Sequence, residues 1–128
     1  MEDNMSNKFE KLDVYQEAHS FVIIIYKLTS KFPKDESFGL ISQIRKASVS
    51  VVANIVEGNA RNHKKEFIQF LYLSNGSLEE VKYYLILSKD LGYLSTSEYD
   101  NLQVRAEKIS KMINGLIRHL RKDVGSKT

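Results

Sequence analysis

Apolar residues recur at spacings of three and four from Val14 to Leu120, in four runs separated by turn-forming residues, a pattern that predicts four amphipathic helices. The first covers about 14–30, with Asp13 as N-cap candidate, Gln16 three residues on, and Phe32-Pro33 ending it. Its core stripe is Val14, Ala18, Phe21, Val22, Ile25 and Thr29. The second covers about 37–59, starts near Glu36 or Ser37, and is expected to bury Ile41, Ile44, Ser48, Val51 and Ile55. Arg45, Val49, Val52 and Val56 widen its apolar arc past the ~100° stripe of a helix with one buried face, so a second contact is expected. The third covers about 64–91 and reads Phe67, Phe70, Leu71, Ser74, Leu78, Val81, Leu85 and Ser88, with Gly92 as the stop signal. A second row, Leu73, Tyr84, Leu87 and Leu91, gives it two seams. Gly76 lies inside it at a cost of roughly 1 kcal/mol against Ala, which calls for the close approach of another backbone. The fourth covers about 96–122: Ser95 and Glu98 form a capping box, followed by Tyr99, Leu102, Ala106, Ile109, Ile113, Leu116 and Leu120.

Four long helices with short connections make antiparallel neighbours, so the expected fold is an all-α, up-down-up-down four-helix bundle forming one domain over residues 1–128 with frayed termini. That topology gathers charge. The start of helix 1, the helix 2–3 connection and the end of helix 4 fall at one end, bringing Lys8, Lys11, Arg61, His63, Lys64, Lys65, Arg118, Arg121 and Lys122 together. Glu10, Asp13, Glu57, Glu66 and Asp123 dilute them.

Composition narrows the function classes. At 128 residues, 42% hydrophobic and a net charge of +3, the chain supports a packed core. It has no Cys, which removes disulfides, thiol chemistry and Cys-based metal sites and is compatible with a reducing cytosol. The longest apolar run, Phe21 to Tyr26, is far short of the ~20 residues of a membrane span, and MEDNMSNK has no apolar signal region, so a cytoplasmic protein without membrane contact is expected. No internal repeat is visible. Catalysis finds little support: His19, His63 and His119 are scattered, no Glu-x-x-His pair, HExxH or Gly-rich phosphate loop is present, and only a cleft of convergent Glu57, Arg61 and His63 would revive an enzyme reading. Glu79 and Glu80 diverge by ~100° on a helix, and Ser74 and Ser77 have no partnered base. No enzyme activity, metal or cofactor is expected.

Three surfaces remain as candidates. Lys64 and Lys65 oppose the macrodipole at a helix start, which an anion would relieve. Lys108, Lys111, Arg118 and Lys122 lie on the side of helix 4 opposite its core stripe, where phosphates could be tracked. With Arg61 and Arg121 these form the nucleic-acid-binding candidates; the alternative is a solvated face, since a pI near 9.0 fits both. The second surface is a small-and-polar track on helix 2, Gln43, Ala47, Ser50, Asn54, Glu57 and Arg61. Asn54, Glu57 and Arg61 can form a charge network there, at a helix contact or, with Gly76, a subunit contact; the alternative is an ordinary exposed face. Tyr72, Tyr83 and Tyr84 are candidates for base stacking, with packing at core edges as the preferred reading.

KLDVYQEAH (Lys11 to His19), FPKDESFGLISQIRKASVSVVANIVEG (Phe32 to Gly58), KEFIQFLYLSNGSLEE (Lys65 to Glu80) and KDLGYL (Lys89 to Leu94) together resemble the bacterial four-helix-bundle proteins encoded in intervening sequences of 23S rRNA genes. The resemblance spans about Phe9 to Leu120 and extends to the accessory variability determinant of diversity-generating retroelements. It implies an antiparallel bundle assembled as a homopentameric ring, nucleic-acid binding and no enzymatic activity. Its signature positions are Gln43, Arg45, Asn54, Glu57, Gly58, Arg61, Glu66, Phe67, Phe70, Gly76, Ser77 and Glu80. This chain departs from the pattern at Lys46, where a second arginine is expected, and at Val52 and Val56, in place of Pro and Ala. The leading expectation is a homo-oligomer, a pentamer by resemblance, that binds RNA or structured nucleic acid. The alternative is an oligomeric scaffold for a protein partner.

Overall fold

The computed structural model describes residues 7–125, which form an antiparallel bundle of four helices: α1 over Asp13–Thr29, α2 over Leu40–Asn59, α3 over Lys64–Asp90 and α4 over Thr96–Gly125. Short 3-10 turns at Lys8–Lys11 and Lys34–Glu36 lead into α1 and α2. Each helix packs on its two neighbours around the bundle. The fraying expected at the two ends concerns positions outside the described residues.

The stripes read from the periodicity meet in one core. All six stripe residues of α1 and all five of α2 are buried, as are Leu71, Ser74, Leu78, Val81, Leu85 and Ser88 on α3. Each large apolar side chain so placed contributes about 1.5–3 kcal/mol. Ile68 and Ile117 are buried although the pattern passed over them, whereas their neighbours Phe67, Phe70 and Leu116 are only half-buried. A 3.6-residue period lets a stripe swing one position sideways, and the angle at which the next helix crosses decides which residue faces inward. At one end of the bundle Phe32 and Leu94, both between helices, close the core, with the Phe32 and Tyr93 rings 5.3 Å apart.

Helix boundaries follow their caps. Asp13 is not the N-cap of α1: Leu12 holds that place in extended conformation, and Asp13 is the first helical residue, where its charge suits the macrodipole. Gln16 instead donates from Nε2 to the Glu10 carbonyl at 2.9 Å. The second helix starts later than Glu36 or Ser37. Pro33 leads a 3-10 turn, and Glu36 Oε1 accepts the Leu40 N–H at 3.2 Å, capping α2 from outside. The Ser95–Glu98 capping box forms in both directions, at 2.9 and 3.0 Å. Gly92 adopts φ +82°, the left-handed conformation that ends a helix, and α3 stops at Asp90. α4 runs on to Gly125, about a turn past the expected Lys122.

The α2–α3 seam is the tightest. Ser74 Oγ donates to the Val51 backbone carbonyl at 2.7 Å, and Ser50 and Ser77 share a hydroxyl hydrogen bond at 2.9 Å. Farther along, Gly58 lies so close to α3 that a Cβ there would sit 2.7 Å from Phe70 Cβ and 2.8 Å from Phe67 Cδ1. Small residues bring the two backbones together. Gly76 plays no such part within the chain: it is exposed, and a Cβ there would meet nothing within 4 Å. The close approach expected at Gly76 is found at Gly58.

Candidate functional site

Antiparallel winding brings the end of α2, the start of α3 and the end of α4 to one end of the bundle. Lys64 Nζ reaches Asp123 Oδ2 at 2.6 Å, tying the first residue of α3 to the last turns of α4. Within the chain, the cation at the α3 start thus has an anion supplied by α4. Lys65 beside it is exposed and makes none of the ion pairs found among the described residues.

The remaining basic candidates divide in the same way. Lys108, Lys111, Arg118 and Lys122 are all exposed on the outward face of α4. Lys108 Nζ crosses to Glu17 Oε1 on α1 at 2.9 Å, whereas Lys111, Arg118 and Lys122 make no ion pair among the described residues. Arg121 lies over the Tyr72 ring, 5.4 Å from its centre. Lys65, Lys111, Arg118 and Lys122 thus remain as exposed cations without a carboxylate at ion-pair distance among the described residues. Lys122 also sits in the last turn of α4, where positive charge is favoured without any ligand.

The polar track resolves into two parts. Asn54 does not join Glu57 and Arg61; its Nδ2 donates to the Ser50 carbonyl at 2.9 Å and to Ser50 Oγ at 3.2 Å, continuing the Ser50–Ser77 contact into the α2–α3 seam. Glu57 and Arg61 form an exposed i,i+4 pair at 3.7 Å, with the Arg61 guanidinium 4.8 Å from the Phe70 ring centre. Gln43 is exposed at the other end of the track. The second row of α3 also divides: Tyr84 and Leu87 pack against the core, and Leu73 and Leu91 are about half exposed. Tyr84 donates to Glu80 Oε2 at 3.1 Å; partial burial, then that bond and charge, raise its pKa above the usual phenol value.

The most connected charge lies midway along the α3–α4 seam. Lys82 Nζ meets Glu107 Oε1 at 2.8 Å and Glu79 Oε1 at 3.0 Å. Burial opposes the charged form of Lys82, but bonds and charge from the two carboxylates outweigh it and raise the pKa above the usual lysine value. The Lys82 hydrogen bond and charge hold Glu107 below the usual carboxylate range. Every partner is satisfied within the chain, so this cluster is a strap between helices. No group of three or more His, Asp or Glu side chains among the described residues is placed to hold a metal, and no helix is long and apolar enough to cross a membrane.

One residue escaped the periodicity altogether. Phe38, between the 3-10 turn and α2, is 99% exposed. It lies outside any helical stripe, so the only signal in the sequence is a large aromatic between Ser37 and Gly39.

No curated protein matches the chain. Among solved structures it is similar to a protein of unknown function from the S23 ribosomal protein family of Bacteroides thetaiotaomicron VPI-5482. The TM-score is 0.76 at 23% identity, covering 92% of this chain and 99% of that one. At that identity the likeness supports the bundle fold and nothing finer. The sequence model of the family described as 23S rRNA-intervening sequence protein matches residues 10–115, and this chain belongs to that family.

Proposed function

We propose that this chain is a non-enzymatic, homo-oligomeric bundle protein that binds RNA or another structured nucleic acid through its basic end and the outer face of α4. The observation that carries the binding reading is the set of α3 and α4 cations that stay exposed with neither an ion pair nor a ring contact among the described residues, Lys65, Lys111, Arg118 and Lys122. They are spread along one helix face and its adjoining end, a spacing suited to a run of phosphates rather than a single anion. Self-assembly draws support from the outward side of α3, where Leu73 and Tyr83 are 57% and 58% exposed on either side of the uncrowded Gly76. A ring of five copies is the number the resemblance implies.

Fluorescence anisotropy with labelled rRNA fragments tests the binding reading. Affinity is expected to fall steeply as salt rises, with a slope reduced by about one for each of Lys65, Arg118 or Lys122 changed to Ala. Undetectable binding at low salt, or binding indifferent to salt, overturns it. Light scattering at micromolar concentration tests assembly, and a monomeric mass overturns that part. If a protein partner is recovered after nuclease treatment, and RNA is not bound, the scaffold alternative replaces the RNA reading.

A further inference from the structure

A second basic surface lies away from the basic end, in a groove of about 640 Å³ along the outer side of α2. That volume is within the range of ligand sites, roughly 300–1,000 Å³. Arg45 and Lys46 line it together with Tyr26 and the exposed Phe38, and no carboxylate does. We propose that this groove binds single-stranded nucleic acid, stacking an unpaired base on Phe38 and holding the adjoining phosphates on Arg45 and Lys46. The proposal rests on the nucleic-acid reading above and adds to it a strand class and a separate site.

Arg45 is held in place before any ligand arrives. Its Nε donates to Thr29 Oγ1 at 2.9 Å and its Nη2 to the Tyr26 carbonyl at 3.2 Å, while the guanidinium lies 4.5 Å from the Tyr26 ring centre. These acceptors are neutral, so neither cancels the charge that Arg45 brings to the lining of the groove. Lys46, the next residue, is exposed and makes no ion pair among the described residues. Glu36, two residues before Phe38 in the chain, does not line the groove, and both its oxygens are engaged: Oε1 accepts the Leu40 N–H and Oε2 the Tyr93 hydroxyl at 2.9 Å. A cation's favourable place at the end of α1 accounts for Arg45 alone. It does not account for a fully exposed phenylalanine at the lip of the same groove. Aromatic faces interleaved with cations are how single strands are bound without sequence preference.

Anisotropy on the full-length protein tests this with a fluorescein-labelled oligouridylate and an RNA duplex of equal length. F38A is expected to weaken oligouridylate binding by about 5-fold or more while leaving the duplex unchanged, and F38W is expected to restore it. K46E is expected to weaken oligouridylate binding and flatten its salt dependence. Phe38 buries almost nothing in its own chain, so F38A leaves the fold intact. Wild-type affinity in F38A overturns the groove proposal and leaves the nucleic-acid reading standing. Failure of the wild-type protein to bind either probe removes both. A lower mass for F38A by sedimentation, with oligouridylate affinity unchanged, also overturns the proposal and makes the groove a contact between copies.

Discussion

The two α3-facing and solvent-facing glycines have opposite reasons for being glycine. Gly58 has Phe70 Cβ and the Phe67 ring where its own Cβ would go, so Gly58→Ala must push α2 and α3 apart. We expect it to lower stability by about 1–3 kcal/mol in urea unfolding. Gly76→Ala meets nothing and replaces the poorest non-proline helix former with the best, so at high dilution it is expected to raise stability by about 1 kcal/mol. A destabilised Gly76→Ala would show that the exposed glycine has a packing role within the chain. Both glycines are legible in the sequence as costly helix residues, but only the neighbouring backbone distinguishes them. The caps follow the same logic. Ser95 and Glu98 were readable because both halves of their exchange are local, and Ser95→Ala is expected to cost about 1 kcal/mol, seen as a lower thermal midpoint. Asp13 misled because the residue before it took the cap position.

Between elements, α3 and α4 are joined by Lys82, Glu79 and Glu107, a cluster that periodicity does not reveal because its members come from two helices. The pKa of Glu107 is lowered in the folded state by the Lys82 hydrogen bond and charge. Its contribution is therefore complete above the unfolded carboxylate value of about 4.5 and is lost as pH falls through the lower folded value. Glu107→Gln removes that dependence. Compared between pH 7 and pH 3, its urea midpoint is expected to fall less than that of the wild type, by the equivalent of under about 1 kcal/mol because the pair is partly solvated. Equal acid losses in the two proteins would show that the strap carries none of the pH dependence. Lys82 has the opposite sign: its raised pKa adds stability that is present below about 10.5 and disappears as pH rises through the folded value.

At the scale of the whole molecule, the extra apolar surface on α2 and α3 is only partly covered by the chain's own packing. Val52 and Tyr84 pack against the core, but Val49, Leu73 and Leu91 are 42%, 57% and 49% exposed. If α3 meets a second copy across Gly76, a large side chain there blocks the approach while sparing the monomer. Gly76→Leu is accordingly expected to keep its helical circular dichroism and to shift light-scattering mass to the monomer; an unchanged oligomer would place the contact elsewhere. The stripes of α1 and α2, most positions of those of α3 and α4, the antiparallel order and the gathering of cations at one end followed from the sequence alone, because helical periodicity and short connections are local constraints on a continuous chain. Tertiary structure decided which cations keep their charge exposed. Asp123 reaches Lys64 and Glu17 reaches Lys108 from distant parts of the chain, whereas Lys65, Lys111, Arg118 and Lys122 make no ion pair among the described residues. It also set Phe38 fully into solvent beside Arg45, since the exposure of a residue between helices depends on how the helices on either side are packed and not on any period within the chain.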